Sequence, residues 1–187
     1  TFMTDRVDAD FLAACPRLKV VSCAPKGWDN FDVTACTDAG VWLTAVPDLL
    51  TEPTAELAVG LAIGLCRNVL IGDRAVRAGF EGWRASLYGA GLSGSVIGIA
   101  GMGKVGQAIA RRLGGFGARE IVYFDAATLP VDAERALGLR RVAWETLVAQ
   151  SDLLILALPL TPATRHLLNA ETLAKAQPWL RIVNAGR

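Results

Sequence analysis

Three glycines within residues 101–106 have the spacing that indicates a binding site most directly. The segment reads Gly-Met-Gly-Lys-Val-Gly, follows the apolar run 95–100 and precedes a helix-like run over 105–116. In this pattern the first glycine permits a tight turn, the second lets the backbone approach a pyrophosphate, and the third lets the helix pack closely on the strand. The spacing therefore predicts a dinucleotide-binding turn formed by Gly101, Gly103 and Gly106, in which the phosphates meet free N–H groups at a helix N-terminus.

An acidic residue, Asp125, closes the next apolar run, at about the separation that this fingerprint requires. Its carboxylate can accept hydrogen bonds from both hydroxyls of the adenosine ribose, and it would repel a 2′-phosphate. Ala126 supplies no compensating cation, so the pattern favours NAD over NADP. The alternative is that Asp125 only caps a helix or shapes a turn.

Composition restricts the kind of partner. The 187 residues are 52% hydrophobic and 20% charged, with a formal net charge of +1 and no block of lysines or arginines. This favours a globular protein with a small-molecule ligand over one that binds nucleic acid or an acidic membrane surface. The most apolar stretch, 57–66, is far shorter than the roughly 20 residues that span a bilayer, so we expect no membrane segment.

Histidine and cysteine are too sparse for a zinc site. His166 is the one histidine, and the four cysteines form no C-x-x-C pair. We therefore expect no metal, a structural role for His166, and buried thiols in a reducing, cytoplasmic environment.

The alternation of strand-like and helix-like runs predicts an α/β fold. The first part contains a helix over 8–15, strands over 18–23 and 41–44, and one long helix over 53–78 that Thr51 would cap. After a glycine- and aromatic-rich connection over 79–94, we expect strands at 95–100, 120–124, 153–158 and 181–184, and helices at 105–116, 144–150 and 170–176. This second part predicts a doubly wound parallel sheet, the Rossmann architecture, in which ligands collect at the carboxyl ends of the strands.

A second candidate site is the segment 26–32, Lys-Gly-Trp-Asp-Asn-Phe-Asp, which follows a predicted strand. It combines a cation, a glycine and a polar cluster. Taken by itself it indicates a turn shaped by local side-chain hydrogen bonds, with Lys26 solvated at the surface.

Several motifs in order along the chain carry a family resemblance. They are Gly-Trp-Asp-Asn-Phe-Asp at 27–32, the glycine fingerprint, Leu-Pro-Leu-Thr-Pro at 158–162 with Thr164 and Asn169, and Val-Asn-Ala-Gly-Arg at 183–187. Together they resemble the D-2-hydroxyacid dehydrogenase family through essentially the whole chain. Within that family, Lys26 before the glycine, the stretch 40–51, and Gly82-Trp83 with Tyr88-Gly89 resemble the phosphonate dehydrogenases, which oxidise phosphite to phosphate with NAD.

The resemblance implies two domains and a set of site residues. Residues 1–50 would form part of a smaller, flavodoxin-like substrate domain, and residues 51–187 an NAD-binding Rossmann domain with a linking helix, incomplete at its C-terminus. Lys26 would bind the anionic substrate, and Arg187 would be the family's active-site arginine. Trp83 and Tyr88 would form a substrate-side wall, or else be ordinary core or interface aromatics. The remaining cofactor-lining residues would be Thr54, Lys104, Val105, Ala157, Leu158, Pro159, Ala185 and Gly186.

Two departures from the family pattern affect these expectations. Pro25 stands where a plain apolar residue is expected, and the sequence stops at Arg187, before the family's catalytic glutamate and histidine. We therefore expect an internal piece of a longer, homodimeric enzyme that is inactive by itself. Two alternatives remain open: a D-2-hydroxyacid dehydrogenase of the glyoxylate or hydroxypyruvate reductase type, in which Arg187 binds a carboxylate and Lys26 is incidental, and an NADH-sensing interaction protein.

Overall fold

The structure is a computed structural model that describes residues 5–24 and 27–186. The chain divides into two compact units, Thr1–Thr51 and Glu52–Arg187. Lys26 and Arg187, the two residues predicted to bind substrate, lie outside the described residues.

The first unit pairs two short parallel strands with two helices. The elements are α1 (Ala9–Ala14), β1 (Val20–Ser22), α2 (Val33–Asp38) and β2 (Trp42–Thr44). Asp8 and Asp32 cap the two helices, because their carboxylates accept hydrogen bonds from the N–H groups of Phe11 and Ala35. The unit has its own core of buried residues: Val7, Leu12, Val21, Cys23, Phe31, Cys36 and Val41. The predicted elements are all present here, with shorter bounds.

The predicted single helix over 53–78 is wrong, because the segment forms two helices, α3 (Thr51–Cys66) and α4 (Val69–Arg77), bent by 62°. Asn68 lies at the break with φ 55°, a left-handed conformation that asparagine tolerates. The carbonyl of Cys66 accepts a hydrogen bond from the N–H of Ala90 (2.8 Å), so a later segment occupies the end of the first helix. Thr51 is not a cap but the first helical residue, and its buried hydroxyl has no hydrogen-bond partner among residues 5–24 and 27–186.

Across residues 5–24 and 27–186, no single helix is long and apolar enough to cross a membrane. The bent pair α3 and α4 meets that test only when taken together, by length and composition.

The second unit is built on a parallel sheet of five strands, which confirms the predicted α/β class. Along the chain run β3 (Val96–Ala100), α5 (Lys104–Leu113), a 3₁₀ turn (Gly114–Phe116), β4 (Glu120–Phe124), α6 (Val131–Leu137), β5 (Leu139–Arg141), α7 (Trp144–Gln150), β6 (Leu153–Leu156), α8 (Ala170–Leu173) and β7 (Arg181–Asn184). The strands lie in the order β5-β4-β3-β6-β7. Helix α6 and strand β5 were not predicted from the sequence, and neither was α2 of the first unit. A further 3₁₀ turn, Ala85–Leu87, lies in the connection that precedes β3.

Helices cover both faces of this sheet, so its central strand is buried on both sides. Ile97 and Ile99 point into one apolar cluster, which also contains Ala58 of α3, and Val96 and Ala100 point into the other. Each fully buried isoleucine contributes about 2 kcal/mol of hydrophobic stabilisation. The sheet is therefore a rigid base for the loops at its carboxyl edge.

Candidate cofactor site

The loops that follow four neighbouring strands are joined to one another by backbone hydrogen bonds. The N–H of Gly101 donates to Phe124 O (2.8 Å), that of Ala157 to Ala100 O (2.7 Å), and that of Ala185 to Leu156 O (2.9 Å). These bonds extend the parallel pairing beyond the strand ends, so the loops share one edge of the sheet. The structure thus brings together the predicted residues of 101–106, Asp125, 157–159 and 185–186.

Two of the three fingerprint glycines are required by packing within the protein. Gly101 has φ 93°, and a Cβ atom there would lie 2.7 Å from Ala157 O. A Cβ atom on Gly106 would lie 2.0 Å from Gly101 O, so α5 approaches the turn too closely for any side chain. Both roles were predicted from the spacing.

Gly103 is different, because a Cβ atom on it would meet none of the described residues within 4 Å. Its φ of −70° suits any residue, so neither strain nor packing in this unit requires a glycine there. Gly103 is the N-cap of the ten-residue helix α5 and has no side chain with which to cap it. Open space beside a helix N-terminus is what a bound pyrophosphate requires, and the site therefore fits a dinucleotide.

Asp125 is fixed over the glycine-rich turn by two hydrogen bonds. Its Oδ2 accepts from the N–H of Met102 (2.6 Å), and its Oδ1 accepts from the N–H of Ala127 (2.9 Å). The second bond shows that Asp125 does shape a local turn, as the alternative interpretation held. Each carboxylate oxygen keeps further acceptor capacity, so the same side chain can also bind ribose hydroxyls.

A buried tyrosine that the sequence analysis missed holds the turn after Asp125. The hydroxyl of Tyr123 lies 2.5 Å from Glu134 Oε1, to which it donates, and accepts from the N–H of Leu129 (3.1 Å). Burial raises the pKa of Tyr123, and the hydrogen bond to Glu134 raises it further. The sequence offered one signal for this role, because Tyr123 carries the one hydroxyl in the largely apolar strand Glu120–Phe124.

We expect Tyr123→Phe to lower the free energy of unfolding by about 1–2 kcal/mol, because Leu129 N–H and Glu134 lose their shared partner. Loosening of the turn should also weaken NAD binding about threefold, which is somewhat less than the net free energy of one typical hydrogen bond. Urea denaturation and calorimetric titration of NAD measure the two effects. Tyr88→Phe is the matched control, since Tyr88 is 71% exposed, and equal effects of the two substitutions would contradict this role.

The loop after β6 is ordered by a pair of threonines. Thr164 Oγ1 donates to Pro159 O (2.6 Å) and accepts from the N–H of Thr161 (2.8 Å). Gly186 packs against this loop, because a Cβ atom on it would lie 2.5 Å from Leu158 O. The predicted cofactor residues of the two loops are therefore held against each other.

His166 lies in the same loop with φ 56° and is exposed at the rim of a depression of about 470 Å³. Leu158, Thr164 and Asn184 also line this depression. No group of three or more histidine, cysteine, aspartate or glutamate side chains in the described part of the chain could hold a metal ion.

The remaining predicted residues lie at helix starts or on the surface. Thr54 is half-buried in the first turn of α3, and Lys104 and Val105 begin α5. Trp83 and Tyr88 are 77% and 71% exposed and stack on each other with centroids 6.5 Å apart. A core role for these two aromatics is therefore wrong, and the wall and interface roles stay open.

Comparison with known sequences supports the cofactor assignment. The family model described as D-isomer specific 2-hydroxyacid dehydrogenase, NAD binding domain, matches residues 59–187. The glyoxylate reductase of Thermococcus litoralis is 36% identical over 193 residues, covering 100% of this chain and 58% of that protein. The D-3-phosphoglycerate dehydrogenase of Mycobacterium leprae is 38% identical over 182 residues, covering 97% of this chain and 34% of that protein.

Solved structures agree in fold. The apo-structure of D-lactate dehydrogenase from Escherichia coli has a TM-score of 0.87 at 31% identity, covering 100% of this chain and 58% of that one. This chain thus spans less than two thirds of the length of the proteins it resembles. The predicted Rossmann-like fold and the predicted NAD cofactor are confirmed. On the match over residues 59–187, the chain belongs to the D-isomer specific 2-hydroxyacid dehydrogenase family and carries its NAD-binding domain.

Proposed function

We propose that the full-length protein oxidises phosphite to phosphate with NAD. The observation that carries this proposal is Lys26 directly before the segment Gly-Trp-Asp-Asn-Phe-Asp, the combination that resembles the phosphonate dehydrogenases. In this reaction the P–H hydrogen leaves with its electron pair as hydride to NAD, and an oxygen from water forms the new P–O bond. The proton released by water goes to a general base.

The fold of the first unit gives the segment after Lys26 a fixed shape. Phe31 is buried, and its N–H donates to Trp28 O (3.0 Å). The N–H of Asp32 donates to Val7 O (2.8 Å), and Asn30 Nδ2 donates to the carbonyl of Asp5. The segment also follows β1, whose carboxyl end is the usual position for ligands in parallel sheets. These contacts give residues 28–32 a defined position after the carboxyl end of β1.

The proposed roles follow from charge and shape. Lysine contributes a compact positive charge, and the planar guanidinium of Arg187 can bind two oxygens of a dianion at once. NAD, when bound, accepts the hydride. The glycine turn and Asp125 would hold its pyrophosphate and adenosine ribose. The general base would be a histidine paired with a glutamate, which the family resemblance places beyond Arg187.

A second candidate function is oxidation or reduction of a 2-hydroxy or 2-oxo acid. It is favoured by the 36% identity to a glyoxylate reductase, which extends over 100% of this chain. In this reaction Arg187 would bind the substrate carboxylate and Lys26 would be incidental.

Substrate comparison with the full-length protein separates the two candidates. NADH formation is measured with phosphite, D-lactate and D-glycerate at equal concentrations, and NADH consumption with glyoxylate. We expect phosphite to give the highest kcat/KM. A higher value for any of the organic acids would replace the proposal with the second candidate.

We also propose that the protein forms a homodimer through α3. Leu57, Leu61 and Leu65 are spaced one turn apart and are 64%, 47% and 43% exposed. An adjacent face of this helix, with Ala58 and Ala62, is buried in the core cluster that also contains residues of the sheet. A second copy presenting the same stripe would remove these leucines from water without exposing new polar groups.

Leu61→Asp in the full-length protein should convert the dimer to a monomer, because it places a charge within an apolar contact. Light scattering after size-exclusion chromatography measures the mass. Val131→Asp is the control, since Val131 is 67% exposed in the first turn of α6. A dimeric Leu61→Asp variant would show that another surface mediates the association.

A further inference from the structure

Arg141 places a cation beside the turn that carries Asp125. It is the last residue of the edge strand β5 and pairs in register with Tyr123 of β4. Its Nη2 donates to Asp125 O (2.8 Å) and lies 3.4 Å from Ala126 O. The guanidinium is therefore held at the two residues that the fingerprint assigns to the adenosine ribose.

The charge of Arg141 is not neutralised by a carboxylate in the described residues. The neighbouring Arg140 forms an ion pair with Glu120, which lowers the pKa of that carboxyl. Arg141, by contrast, has no carboxylate oxygen within 4 Å in 5–24 and 27–186, and its hydrogen bonds go to two carbonyls. A guanidinium has five N–H donors, so this exposed group keeps donors for an anion.

Asp125 and Arg141 act on a 2′-phosphate in opposite directions. The carboxylate of Asp125 repels it, whereas a nearby arginine is the side chain that accommodates it in NADP-binding domains. From the sequence, we expected no cation to compensate the charge of Asp125, because the next residue is Ala126. The structure provides the cation from the next strand of the sheet.

We propose that Arg141 is a specificity-determining residue that forms half of a 2′-phosphate site, and that the charge of Asp125 weakens the binding of a 2′-phosphate there. Removing that one charge then converts the site to NADP binding without any added cation. This inference concerns the adenosine end of the cofactor and does not depend on which substrate is oxidised.

Calorimetric titration of NAD and NADP into the full-length protein, without substrate, tests the proposal. Asp125→Asn removes the charge and keeps one acceptor oxygen, which can bind the N–H of Met102 or that of Ala127. We expect it to raise the affinity for NADP about tenfold or more, the size of one charge-assisted hydrogen bond. Adding Arg141→Gln should abolish that gain, whereas adding Arg140→Gln should leave it unchanged.

A second measurement tests the proposal even if the Asp125→Asn variant does not fold. In the otherwise unmodified protein, Arg141→Gln should lower the residual affinity for NADP about tenfold. It should change the affinity for NAD less than about twofold, because NAD has no 2′-phosphate for the guanidinium to bind. The proposal is overturned if a folded Asp125→Asn variant binds NADP no better, or if Arg141→Gln has no effect on NADP in either background. These affinities are measured without substrate, so the test of Arg141 does not depend on whether the protein oxidises phosphite.

Discussion

Lys26→Ala in the full-length protein should lower kcat/KM for phosphite about a hundredfold or more, while changing the dissociation constant of NAD less than about twofold. The reason is that the lysine would supply charge to the small dianion and not to NAD. Initial rates of NADH formation give kcat/KM, and quenching of tryptophan fluorescence by NAD gives the dissociation constant.

Lys19→Ala is the matched control, because Lys19 is an exposed lysine of the same unit, directly before β1. It should leave both quantities unchanged. If Lys26→Ala behaves like Lys19→Ala, the lysine is incidental and the 2-hydroxy acid reaction becomes the better assignment. A variant that loses affinity for NAD as well would indicate a structural defect rather than a substrate contact.

The features that the sequence predicted well depend on neighbouring residues. The glycine spacing 101, 103 and 106 determines the turn, because backbone conformation and the approach of α5 are local properties. The buried strand β4 was predicted with its observed bounds, since its apolar run matches its burial. Asp125 was identified by its distance along the chain from the fingerprint.

The features that the sequence did not predict depend on partners distant along the chain. Helix α3 ends where the carbonyl of Cys66 accepts a hydrogen bond from the N–H of Ala90. The residues next to Cys66 in the sequence do not indicate that contact. Strand β5 is short, and Leu139 is its one buried residue, so it has too little apolar periodicity to be recognised. Arg141 lies beside Asp125 only because β5 pairs with β4, which is a property of strand order.

Gly106→Ala should destabilise the second unit by about 3 kcal/mol or more, the upper part of the range for substitutions that force backbone movement. The new Cβ atom would lie 2.0 Å from Gly101 O, and a backbone atom cannot move aside as a flexible side chain can. Urea denaturation measures the loss. Gly114→Ala is the control, because Gly114 has φ −56° and open space around its Cβ position; it should change stability by no more than about 0.5 kcal/mol.

Gly103→Ala should show the opposite pattern, with stability unchanged and affinity for NAD lowered about tenfold or more, as expected when a phosphate is pushed away from helix N–H groups. The Cβ atom would meet no atom of the described residues within 4 Å, so packing does not require a glycine there. A pyrophosphate bound close to the backbone would require one. Comparing Gly103→Ala with Gly106→Ala therefore separates the glycine that the cofactor requires from the one that the fold requires. If Gly103→Ala binds NAD as tightly as the unmodified protein, the pyrophosphate does not approach the N-terminus of α5, and the role assigned to this turn is wrong.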